Sequence, residues 1–177
     1  CDDVRQSLQP AHGNYPAMFS SLINANKPNW KLPVFNVRLG QYPDNINQCD
    51  GYLITGSQYS VYDNDRWIVE FERYIHLLNE ARKKVVGICF GHQIMAKALG
   101  GTVKKSPKGW GVGVSQNNVI SKAAWMVPHQ TTLNLIVSHQ DQVTALPDVA
   151  KILASSEFCP YYLLQYSEYF ISVQGHP

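Results

Sequence analysis

The sequence predicts an α/β fold built on a mostly parallel sheet, and three observations carry that expectation. Short β-branched runs alternate with amphipathic helical repeats through the first half of the chain. The turns between them are short, which favours crossovers between neighbouring parallel strands. The length, 177 residues, suits one domain with a single sizeable core.

The elements follow in order. Residues 15–25 place Met18, Phe19, Leu22 and Ile23 at helical spacing. Pro33, Val34, Phe35, Asn36 and Val37 read as a short buried strand. Residues 51–55 read as a second, ended by Gly56 and Ser57. Over 66–83, Trp67, Phe71, Tyr74, Ile75 and Leu78 step by three and four along one helix face, with Asp65 as N-cap. Arg82, Lys83 and Lys84 close that helix, where they complement its dipole. Residues 84–88 read as a central strand ending at Cys89. A helix over 91–99 follows, stopped by Gly100 and Gly101. Further strands are expected at 112–120, 133–137, 151–154, 161–165 and 170–173, with a loop over 141–148. Trp110, Gly111, Val112 and Gly113 read as a turn with a packed indole. Sheets of this kind place their sites at the carboxyl ends of strands, where Gly56, Ser57 and Cys89 all fall.

Composition narrows the function classes. Apolar residues are 45% and charged residues 16%, a globular balance. A net charge of +2 without a basic patch argues against a nucleic-acid partner. No apolar stretch approaches the ~20 residues of a membrane span, and no signal-peptide pattern opens the chain. Cys1, Cys49, Cys89 and Cys159 are scattered without a CxxC pair, so neither a metal site nor a disulfide scaffold is expected. A reducing, cytoplasmic setting follows as the expectation, and no cofactor is implied. The chain opens on Cys1 and closes on His176 and Pro177 directly after a strand-like run. A single domain over 1–177 is therefore expected, lacking its first strand and its C-terminal segment.

Gly87, Ile88, Cys89, Phe90 and Gly91 have the G-x-nucleophile-x-G form of a strand-to-helix elbow, with sulfur as the nucleophile. In such a turn, side chains two residues to either side would collide, so glycine is needed at both. The turn puts sulfur at a helix N-terminus, where the dipole favours thiolate, and turns the Phe90 N–H toward a developing oxyanion. Taken alone, G-x-C-x-G serves equally well for a buried structural cysteine between packing glycines.

Residues 86–93, Val-Gly-Ile-Cys-Phe-Gly-His-Gln, resemble the nucleophile motif of class I glutamine amidotransferases. Three further stretches resemble that family in the right order. They are the Thr-Gly-Ser-Gln-Tyr-Ser-Val-Tyr-Asp of 55–63, the Ser-His-Gln-Asp-Gln-Val of 138–143 and the Val-Gln-Gly-His-Pro of 173–177. Free-standing members similar to the amidotransferase part of GMP synthetase are the nearest in pattern. The resemblance implies a three-layer, flavodoxin-like amidotransferase fold, with helices flanking the sheet and a smaller antiparallel strand element. It implies Cys89 as nucleophile and His176 as the base that passes a proton to the leaving group. It implies an oxyanion hole from Gly56, Ser57 and Phe90, where many members carry Gly-Gly in place of Gly-Ser. Gln93, Ser138, His139 and Asp141 match substrate-binding positions, Asp141 as partner for the substrate ammonium. The family's triad closes with a glutamate two residues after the histidine, expected just past Pro177.

His176 has rivals in His12, His76, His92, His129 and His139. His139 is the serious one, and for His92 a place on the helix surface weighs about the same as a direct role. The implied reaction is release of ammonia from glutamine through a cysteine thioester, with a separate synthetase as the possible ammonia acceptor. No pyrophosphate or phosphate-binding loop lies within these residues. The alternative is a γ-glutamyl peptidase using the same site on a γ-glutamyl compound. The related intracellular-protease group carries histidine directly after the cysteine, where Phe90 stands here. A non-catalytic domain on the same fold would not need Cys89 and His176.

Overall fold

The computed structural model describes residues 3–7 and 9–177. The elements in chain order are α1 (Gln9–His12), α2 (Tyr15–Asn24), a 3₁₀ turn (Val37–Leu39), β1 (Gly51–Ile54), α3 (Arg66–Glu80), β2 (Lys84–Ile88), α4 (Phe90–Ala98), β3 (Thr102–Lys105), β4 (Gly111–Val119), β5 (Thr132–His139), β6 (Asp141–Ala145), β7 (Lys151–Ser155), β8 (Leu163–Gln165) and β9 (Phe170–Val173). Seven strands form one sheet in the order β1-β2-β9-β8-β7-β4-β5, and β3 pairs with β6 in a small antiparallel sheet.

The α/β expectation holds, and the small antiparallel element is present. The main sheet is mixed: β1, β2 and β9 run parallel, with Ile54 opposite Gly87 and Ile88 opposite Val173. From β9 outward, β8, β7, β4 and β5 are antiparallel. The parallel strands are the ones that carry the candidate site at their carboxyl ends.

Helix α3 forms because Ile68, Phe71, Ile75 and Leu78 repeat on one face, and all four are buried. That face shares a core with Ile54, Val85, Phe90, Ile94, Met95 and Phe170. A second core under the antiparallel half gathers Val137, Leu153, Ala154, Tyr162 and Leu163. No helix among the described residues is long and apolar enough to cross a membrane.

Several local expectations change. Pro33 to Val37 form no strand. Val34 is 63% exposed, and the segment enters the 3₁₀ turn, whose N-cap Asn36 accepts from the Arg38 N–H. An apolar run without a strand partner has no ladder to complete its hydrogen bonds. The 141–148 stretch is a loop only in part, because β6 pairs with β3, a strand whose Thr-Val-Lys-Lys carries little apolar signal. Asp65 takes the N-cap position of α3 but makes no side-chain cap bond. The basic cluster lies beyond the last turn: Arg82 has φ 52° and Lys84 already belongs to β2. Helix α2 buries none of its residues.

Candidate active site

Cys89 leaves β2 with φ 55° and ψ −104° and caps the N-terminus of α4. A non-glycine residue at positive φ is strained and persists only where packing enforces it. The two flanking glycines show what enforces it. A Cβ on Gly87 would meet the Gly91 carbonyl oxygen at 2.6 Å and Met95 Sδ at 2.5 Å. A Cβ on Gly91 would meet the Ile54 carbonyl oxygen at 2.6 Å. The elbow thus fits only because β1, β2 and α4 approach backbone to backbone, and Cys89 N–H donates to the Val173 carbonyl at 2.9 Å.

Gly56, Cys89 and His176 converge. A Cβ built on Gly56 would stand 3.1 Å from His176 Cε1, 3.6 Å from Cys89 Cβ and 3.9 Å from Cys89 Sγ. His176 is held by its own N–H, which donates to the Ile136 carbonyl at 2.8 Å and bridges to β5. Burial pushes the Cys89 thiol up to about 11, and Asp141 adds to the rise. The Phe90 N–H and Gln174 pull the other way. Burial outweighs these donors and pushes the sulfur toward the thiol form, against the pull of the helix N-terminus toward thiolate. Burial also lowers His176 below 6.5 and keeps its imidazole neutral, able to accept a proton.

The expected substrate segment gathers around Asp141. Its carboxylate accepts from Ser60 Oγ at 2.5 Å and from Tyr62 Oη at 2.9 Å. Its carbonyl accepts from Gln93 Nε2 at 2.9 Å and pairs with His139 Nδ1 at 3.1 Å. The loop after β1 is therefore strapped to the start of β6. Gln93 spends its second N–H on Gln174 Oε1, at 3.1 Å. His139 packs edge-on to Phe158, and its Nε2 lies 3.5 Å from where a Cβ on Gly111 would sit. Burial lowers its pKa as well. Ser138 is exposed on β5 opposite Val112. Ser57 accepts from the Tyr59 N–H at 3.3 Å, beside Gly56.

Among the other histidines, His92 is not on the helix surface. It is fully buried, its Nδ1 is 2.8 Å from Ser172 Oγ, and Ser172 in turn meets Tyr166 Oη at 3.0 Å. Burial holds its pKa down at about 3, with His139 adding to the fall. His76 and His129 are exposed, and the side chain of His12 lies outside the described residues. Trp110 is 64% exposed rather than packed. Ser60, Tyr62 and Gln174 join the site, although no residue-level motif singles them out. All three sit inside stretches that carry the family resemblance, and that was the available signal.

Residues 29–177 match the family described as glutamine amidotransferase class-I. γ-Glutamyl peptidase 3 of Arabidopsis thaliana is 33% identical over 185 aligned positions, covering 100% of this chain and 73% of that protein. γ-Glutamyl peptidase 5 of the same plant is 32% identical, covering 96% and 70%. A glutamine-hydrolysing GMP synthase of Azoarcus is 33% identical over 72% of this chain but only 25% of its own length. The crystal structure of a glutamine amidotransferase from Thermotoga maritima superposes with a TM-score of 0.80 at 20% identity, covering 90% of this chain and 69% of that one. Fold, elbow and family match agree, and the chain belongs to the class I glutamine amidotransferase family.

Proposed function

We propose that this protein is a cysteine-dependent hydrolase of γ-glutamyl amide bonds, with Cys89 as nucleophile and His176 as general base and acid. The observation that carries the reading is the convergence of the strained Cys89, the neutral His176 and the side-chain-free Gly56. His176 takes the thiol proton as sulfur attacks the γ-carbonyl. The oxyanion receives the Phe90 N–H and a backbone N–H from Gly56 or Ser57. Collapse breaks the C–N bond, and His176 returns the proton to the leaving amine. Water then hydrolyses the thioester to glutamate, with His176 as base.

The motif resemblance implies glutamine first as substrate. The similarity to γ-glutamyl peptidases along the whole chain supports the other order, since the GMP synthase match covers less of it. Glutamine hydrolysis, with ammonia passed to a separate synthetase, is the second reading. Asp141, Ser138 and His139 hold the amino-acid end of the substrate. Gln93 serves by bracing Asp141 and Gln174, because both of its N–H groups are already used. Unbridged Cys49, Cys89 and Cys159 fit a reducing cytoplasm.

The test is hydrolysis of γ-glutamyl dipeptides and of glutamine by the full-length protein beside its Cys89→Ala variant. Release of glutamate that vanishes in the variant, faster from the dipeptides, is the expected result. Unchanged turnover in the variant overturns the mechanism, and faster release from glutamine favours the second reading.

A further inference from the structure

Gln174 is fully buried between the end of β9 and His176. Ile88 lies opposite Val173 in the parallel register, and the Cys89 N–H is bonded to the Val173 carbonyl, so the next pair in line is Cys89 and Gln174. From α4, Gln93 donates to Gln174 Oε1 at 3.1 Å while its other N–H holds the Asp141 carbonyl. With Oε1 anchored, the Gln174 amide cannot turn over. Its Nε2 is buried and has no hydrogen-bond partner among the described residues. Eight buried side-chain polar atoms among the described residues lack a partner, and Gln174 Nε2 is singled out because it belongs to the side chain that acts on the Cys89 sulfur.

The nearby sulfur supplies one. A thiol is a weak acceptor, whereas a thiolate is a strong one. The titratable groups around Cys89 do little to help it ionise. Asp141 at the start of β6 opposes the anion, and His176 is held neutral by burial, as are His139 on β5 and the fully buried His92 on α4. Fixed N–H donors are what remain, and Gln174 and the Phe90 N–H both favour the anion.

We propose that Gln174 is a catalytic residue that gives its free amide N–H to the Cys89 sulfur as the thiol proton moves to His176, and that Gln93 aims it. The hydrogen bond forms as sulfur becomes anionic. It weakens again when sulfur bonds to the substrate carbonyl and loses its charge. The assignment rests on Cys89 being the nucleophile.

Alkylation of Cys89 by iodoacetamide across pH, followed by mass spectrometry of its peptide in the full-length protein, tests this without substrate. Gln174→Met keeps the volume and removes the donor. Gln174→Leu likewise removes the donor and adds no charge beside the sulfur. In both, half-maximal alkylation should move up by about one pH unit, with about tenfold slower labelling at neutral pH. On a γ-glutamyl dipeptide, kcat should fall while KM changes little. Melting curves identify any variant that fails to fold, and the profile of the other then decides. An unchanged alkylation profile in a folded variant overturns the role of Gln174. Failure of Cys89 to label in the unaltered protein removes the nucleophile reading, and the proposal with it.

Discussion

A methyl group at Gly56 would stand 3.1 Å from Cε1 of His176, and a methyl group at Gly91 would stand 2.6 Å from the backbone oxygen of Ile54. The two glycines lie close together around Cys89, yet they answer to different neighbours. Gly56→Ala presses on a side chain at the end of the sheet, which can yield by a few tenths of an ångström. It should lower kcat/KM by about tenfold to a hundredfold through misplacement of the imidazole, with a stability change within about 1 kcal/mol. Gly91→Ala presses on backbone that cannot yield and should cost about 3 kcal/mol in urea denaturation. Equal effects of the two substitutions on activity and stability would contradict this division.

The Asp141 carboxylate ties the loop after β1 to β6 through Ser60 and Tyr62. Removing one partner should release part of that loop without unfolding the sheet. Ser60→Ala and Asp141→Asn should each speed amide hydrogen exchange across residues 57–63. Their effects should also fall short of additive, with a coupling of about 0.5–1.5 kcal/mol. Exchange as slow as in the unaltered protein would show that the strap does not hold the loop.

His92 makes stability depend on pH. Its folded pKa of about 3 lies below the ordinary 6.5, so the unfolded chain takes up the proton first as pH falls. The stabilisation is complete above 6.5 and is lost progressively toward 3, with a slope of up to about 1.4 kcal/mol per pH unit from this residue. His139 and His176 shift in the same direction and steepen the fall. His92→Asn should be less stable at neutral pH and show a shallower decline, read from urea midpoints down to about pH 4. A decline as steep as before would place the proton uptake elsewhere.

The elbow was legible because its demands are local. Gly87, Cys89 and Gly91 are neighbours in the chain, and the collision that requires glycine on both sides arises within that one turn and the strand beside it. The inward face of α3 was legible for a similar reason: Phe71, Ile75 and Leu78 repeat with the helix period, and burial follows the period. The strand expected at Pro33 to Val37 failed because apolar character does not supply a pairing partner. Strand β3 escapes a sequence pattern because Val103 is its single apolar residue; burial against Val143 of β6, distant in the chain, is what seats it.

By itself, then, the sequence determined the α/β class, the sharp turn at Cys89 and the set of stretches that meet at the sheet end. Only the tertiary structure decided which polar groups in those stretches face one another. Ser60 meets Asp141 and Gln93 meets Gln174 across 81 positions of chain, and His92 meets Ser172 across 80. Steric demands within a turn are written in adjacent residue types. A hydrogen bond between distant side chains depends on strand register and on how a helix sits over the sheet, which no short stretch of sequence contains.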